Sequence, residues 1–159
     1  MENLTSRIDD LSNKLESRGL IRMAAALDIV ANTMSKTAAK YDHISFKPPQ
    51  GVADAAARGL ELRSKASPSN KGGLSTSQAK EEGVGSGVQR AVNLKNGDNL
   101  SPDTVRRMNS FFHRHEKSKD IDAGKTPATD KGYQAWLLWG GDAGAAWARK
   151  VVKQMDAAD

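Results

Sequence analysis

The residues best equipped for chemistry cluster at His113, Arg114, His115 and Glu116. Two imidazoles and a carboxylate are the ingredients of a zinc site or of general acid–base catalysis. Their spacing argues against both. A zinc-protease helix needs a second histidine four residues after the first, and from His115 that position is Lys119. On one helix, His113 and His115 point in different directions, because helical neighbours lie three or four residues apart. His115 is expected on the apolar side as a core histidine, and His113 on the surface. Asp142 and Glu116 form no evident acid–base pair; Asp142, after Gly140-Gly141, is expected to cap a helix.

Phosphate-binding loops are equally incomplete. Gly124-Lys125-Thr126 matches the end of a nucleotide loop, but Lys119 stands where its first glycine belongs and no strand precedes it. Gly83, Gly85 and Gly87 lead into a helix, but Val88 occupies the third glycine of the dinucleotide fingerprint. No catalytic residue, metal ligand or cofactor is assigned.

Positive charge is better represented. Lysine and arginine number 24 against 19 acids, giving a net charge of +5 and an isoelectric point near 9.5. Basic chains meet nucleic acid, acidic proteins or anionic lipid. Arg90, Arg106, Arg107, Arg114 and Lys117 can track phosphates, with Lys119 beside them. Arg149, Lys150 and Lys153 can extend the track. No reading of particular bases is indicated. Tyr133, Trp136, Trp139 and Trp147 are able to stack on bases. Their spacing around Gly140-Gly141 fits a small core better.

The elements that must position these groups read as helices. Leu100–Glu116 is the best specified. Ser101 is an N-cap, Pro102 fits the first helical position and Asp103 complements the dipole. Leu100 and Val105 occupy hydrophobic-staple positions. Val105, Met108, Phe111, Phe112 and His115 form its apolar side, and Arg106, Ser110, His113, Arg114 and Lys117 the other.

Upstream, Leu4, Ile8, Leu11 and Leu15 repeat at helical spacing, as do Leu20, Met23, Ala24, Leu27, Val30, Ala31 and Met34. Arg18-Gly19 separates the two stripes as a helix stop. Further helices are expected over 52–65, 88–94 and 131–139. A last one follows Asp142, with Gly144, Trp147, Ala148, Val151 and Met155 inward. No segment alternates like a strand. The expected fold is all-α: a helical hairpin over 1–40, a linker with Pro48-Pro49 over 41–50, and a small helical domain over 51–159. Mobile loops are expected near 66–87 and 117–130.

Cysteine is absent, which excludes disulfides, thiolate metal sites and cysteine nucleophiles. No apolar run approaches the roughly 20 residues that span a bilayer. The opening MENLTSRIDD is too acidic and polar for a signal peptide.

LSPDTVRRMNSFFHRHEK at 100–117 and AWLLWGGDAGAAWARK at 135–150 resemble a short domain of tailed-bacteriophage proteins. That domain has the form LSPxTVxRMxSFFxRHE, a charged loop, then AWxLWGGDAGxxWAxK. The likeness runs from about Val52 onward, and the loop over 117–131 is shorter here. LESRGL and ALDIVANTM in the hairpin are similar to helical segments of large phages. The resemblance implies a phage setting and carries over no catalytic residue.

The leading expectation is therefore a non-enzymatic, virion-associated structural protein, located in the virion or host cytoplasm. Leu4, Ile8, Leu11, Leu27 and Val30 would dock the hairpin on other phage proteins or on itself. The alternative is a small basic protein contacting DNA or RNA phosphates. Membrane binding is not expected. An enzyme using His113, His115 and Glu116 is the least favoured reading.

Overall fold

The computed structural model describes residues 4–16, 20–82 and 86–159. Among them every regular element is helical, as the sequence periodicity predicts. The elements are α1 (Leu4–Glu16), α2 (Ile21–Lys40), α3 (Gln50–Lys65), α4 (Thr76–Glu82), α5 (Gly87–Lys95), α6 (Pro102–Arg114), α7 (Lys131–Leu138) and α8 (Gly141–Ala158). Short 3₁₀ turns occupy Pro68–Asn70 and Glu116–Lys119. Two compact units result. One holds α1 and α2 through Ile44, together with Ala158 and Asp159; the other is Ser45–Ala157.

In the first unit α1 and α2 pack on each other. Ser12 and Ala31 are buried, and Ile8, Leu15 and Leu27 are half-buried. Leu11 and Val30 stay 48% and 47% exposed, and Leu20, Met23, Ile29 and Met34 are exposed with them. Two helices can cover only one stripe each, so the expected docking seam divides. Ile8 and Leu27 serve the hairpin itself, while Leu11 and Val30 face out. Leu4 starts α1, but its side chain, like the Arg18-Gly19 stop, lies outside the described residues.

The second unit is built on α3, α5 and α7, which contact one another. The alanine-rich face of α3 permits close approach: Val52, Ala53, Ala56 and Gly59 are all buried. α6 delivers Val105, Met108, Phe111 and Phe112 to the core. Its start follows the sequence reading closely. The Ser101 hydroxyl accepts from the Thr104 N–H at 3.2 Å, and Leu100 and Val105 are both buried. α8 adds Trp147, Ala148, Val151 and Met155, the face expected to be inward.

Several expectations are corrected. The 41–50 segment is not a free linker: Phe46 and Pro48 are buried, and the Leu100 N–H donates to the Phe46 carbonyl at 3.1 Å. The 66–82 stretch holds a 3₁₀ turn and α4, and it buries Ala66, Gly72 and Ala79. Asp142 does not cap α8, which begins at Gly141; its Oδ1 instead accepts the Trp136 indole N–H at 2.9 Å. Gly140 makes that turn possible. Its φ is +111°, and an added Cβ would lie 2.7 Å from Val52 Cγ1.

Two polar side chains lock the connections. Asp130 is 3% exposed and caps α7, accepting from Tyr133 N–H at 3.0 Å and from Asp122 N–H at 2.8 Å. Burial alone would raise its pKa. The Tyr133 and Asp122 N–H groups and the Lys125 charge outweigh burial and hold the carboxyl below its ordinary value.

Gln134 is wholly buried. Its Oε1 accepts the Gly72 N–H at 2.9 Å. Its Nε2 donates to the carbonyls of Asn70, Pro127 and Ala128 at 3.1, 3.3 and 3.0 Å. Each buried group left unpaired costs roughly 1–3 kcal/mol. Gln134→Ala is expected to lower the unfolding free energy by about 2–4 kcal/mol in a urea titration. A loss within experimental error would mean the amide is not what holds the two loops.

Candidate functional site

One side of α6 carries Asp103, Arg107, Ser110 and Arg114, spaced four, three and four residues apart and therefore on one face. With Arg106 and Phe111 of the same helix, Arg90 of α5, and His115 and Trp139, they line an open cleft of about 710 Å³. Each of these groups comes from an element fixed by the core. Ser86 caps α5, its hydroxyl accepting from Gln89 N–H at 3.1 Å, a cap that the glycine-rich context obscures in sequence. Trp139 terminates α7 just before the Gly140 turn.

The floor of the cleft is aromatic. Trp139 stacks on Phe111 with centroids 4.5 Å apart and planes 10° from parallel. Phe111 in turn meets His115 at 4.7 Å and 34°. Edge-on contacts continue this ladder inward, from Phe111 to Phe112 at 5.5 Å and from Phe112 to Trp136 at 4.7 Å. Trp136 and Trp147 are core residues, as their spacing suggests, whereas Trp139 is only half-buried. His115 is not on the buried side. It is exposed and forms the C-cap of α6, with its ring against Phe111. The helix ends there, so His115 leaves the apolar stripe that a continuing helix would have given it.

The rim is positive. Four arginine guanidinium groups face the single carboxylate of Asp103. Arg106 is partly committed, its Nη1 lying 2.7 Å from Asp156 Oδ1. Both partners are exposed, which makes the pair worth little. Among the described residues Arg90, Arg107 and Arg114 form no ion pair. The guanidinium of Arg90 sits 5.9 Å from the Trp139 ring centroid. Its Nε is buried with no hydrogen-bond partner. Burial first, and the charge of Arg107 second, hold Arg90 below its ordinary pKa. It still carries its charge at neutral pH.

A smaller groove of about 420 Å³ adjoins the cleft and shares Gly73 and Leu74 with it. Arg63, Lys71 and Lys131 line this groove. Gly73 keeps the shared wall thin: its φ is +73°, and an added Cβ would lie 2.5 Å from Leu138 Cδ1. None of these three cations is singled out by the sequence. They belong to a helix end, a loop and a helix start, and only tertiary packing gathers them.

The other expected contacts lie elsewhere. Lys117 is exposed in the 3₁₀ turn after α6, and Arg149, Lys150 and Lys153 are exposed on α8. None of the four lines either groove. Gly83 and Gly85 lie outside the described residues. Among the described residues no group of three or more acidic or histidine side chains is placed to hold a metal. No helix there is long and apolar enough to cross a membrane. Comparison with known protein families, curated proteins and solved structures finds no match to this chain.

The balance at Arg90 yields a test. A buried, unpaired donor costs roughly 1–3 kcal/mol, and an arginine over an indole returns only about 0.5–1 kcal/mol. Methionine keeps the apolar stem and removes the charge. Arg90→Met is expected to stabilise the protein by about 1 kcal/mol in chemical denaturation. Destabilisation of that size would mean the cation–π contact dominates.

Proposed function

We propose that this protein is a non-enzymatic nucleic-acid-binding protein whose second unit contacts phosphates through the arginine-lined cleft. The observation that carries this reading is the convergence of Arg90, Arg106, Arg107 and Arg114 on one concave surface around Trp139. Three of them have no protein counter-ion among the described residues. Cations held together without partners repel one another, and an arriving polyanion relieves that repulsion while releasing its own counter-ions. Arginine suits the task because its planar fork matches phosphate oxygens in pairs. The resemblance of the second unit to a tailed-phage domain supports a setting in which a genome is packaged or handled.

A salt series with a fluorescent oligonucleotide tests this. Affinity is expected to fall with a log–log slope of about −0.7 for each phosphate contacted on a single strand. Arg107→Glu with Arg114→Glu is expected to weaken binding by at least about tenfold at low salt. Arg149→Glu with Lys150→Glu, outside the cleft, is expected to leave it within about twofold. Equal effects from both pairs would make the binding diffuse and set aside the cleft.

A second reading rests on the hairpin. Leu11, Met23, Ile29 and Val30 are exposed apolar side chains on the hairpin, with Ile29 67% exposed, and exposed apolar clusters serve as protein contact surfaces. They support a virion-associated role in which the first unit docks on a protein of the particle. Purified particles should then contain the protein and lose it on Ile29→Lys with Val30→Lys. Absence of the unaltered protein from particles would remove this reading.

A further inference from the structure

The ring ladder in the cleft stops at a residue that packing does not explain. Trp139, Phe111 and His115 succeed one another at 4.5 and 4.7 Å, the spacing at which flat rings attract. Phe111, in the middle, is buried and has both other rings as neighbours. His115, at the end, is exposed, and Phe111 is its one ring neighbour among the described residues. The same cleft holds hydrogen-bond donors without acceptors: the buried Nε of Arg90, and Arg107 and Arg114, unpaired among the described residues. An open ring face beside unpaired guanidinium groups is complementary to a planar heterocycle linked to a phosphate.

From this juxtaposition we infer that the cleft binds an unpaired nucleotide of a single strand. The base stacks on the open face of His115 as the next ring of the ladder, and the adjoining phosphate lies against Arg90, Arg107 and Arg114. This rests on the phosphate-binding reading given above and specifies which form of nucleic acid meets it. A duplex keeps its base faces stacked against each other and offers only their edges. Ring faces are available on unpaired strands. The neighbouring groove, with Arg63, Lys71 and Lys131 across the Gly73–Leu74 wall, gives the strand a positive path beyond the stacked position. His115 is a binding residue in this assignment and takes no part in proton transfer.

The test compares four probes and two variants of the full chain by fluorescence anisotropy at low salt. The probes are a fluorescent twelve-residue thymidine strand, an abasic strand of equal phosphate number, a duplex of equal length, and tripolyphosphate as competitor. The thymidine strand is expected to bind about tenfold tighter than the abasic strand or the duplex. His115→Ala should bring it down to the abasic level with the salt slope unchanged, while His115→Phe, which keeps a ring face, should retain it. His115 is exposed, so neither variant threatens the core, and the abasic strand probes stacking with no substitution at all.

Equal binding of abasic and thymidine strands would overturn the stacking site and leave phosphate binding intact. So would His115→Phe behaving like His115→Ala, since the imidazole nitrogens rather than the ring face would then matter. Equal binding of the duplex, or competition by tripolyphosphate as effective as by the strand, would likewise overturn it. Failure of every polyanion to bind at low salt would remove the phosphate-binding reading and this inference together.

Discussion

The second unit depends on one buried amide. Gln134 reaches from α7 to two connections that have little apolar surface of their own, the turn at Asn70 to Gly72 and the loop ending at Pro127 and Ala128. A primary amide suits this task because it offers both donors and an acceptor without a net charge to desolvate. Asp130, one turn earlier, secures the same loop through Asp122. With these side chains in place, backbone groups that would otherwise need water are satisfied inside the fold. The wall between the two grooves, at Gly73 and Leu74, lies directly beside the Gly72 that Gln134 holds.

The cleft is assembled against its own stability. Arg90 is desolvated and faces Arg107, an arrangement that a protein selected for stability alone would replace with an apolar side chain. Rigid elements make it tolerable. Ser86 and Ser101 cap the helices that carry the arginines. The Trp139–Phe111 stack fixes the floor, and the contacts of Phe112 with Phe111 and Trp136 tie that floor to the core. Donors held in position before a ligand arrives lose less conformational entropy on binding than donors that must be ordered.

The two units divide the apolar content differently. In the second, nearly every large apolar residue is internal. In the first, Leu11, Met23, Ile29 and Val30 remain outside because a two-helix layer has no third element to cover them. A protein of this form has two separate kinds of surface, one apolar and helical, one positive and concave.

Much of this was legible in the chain. Ser101, Pro102 and Leu100 announce the start of α6 because capping is local chemistry within a few residues. The inward faces of α6 and α8 follow from helical periodicity alone, and no segment alternates like a half-buried strand. Arg90, Arg106, Arg107 and Arg114, among the expected phosphate-contacting cations, do converge; the last three share one helix, and packing brings Arg90 of α5 beside them. Other features depend on partners distant in sequence. Gln134 reads as an ordinary polar helix residue until Gly72 and Asn70 arrive beside it. Asp142 reads as a cap until the Trp136 indole claims it. His115 reads as core because periodicity continues a helix past the point where its hydrogen bonding ends. Most of the helices, the cap of α6 and the inward faces of α6 and α8 could be read from the chain alone, because they depend on neighbours within a turn or two. Which cations share a cleft and which rings stay exposed came from packing, because those depend on contacts between residues far apart along the chain.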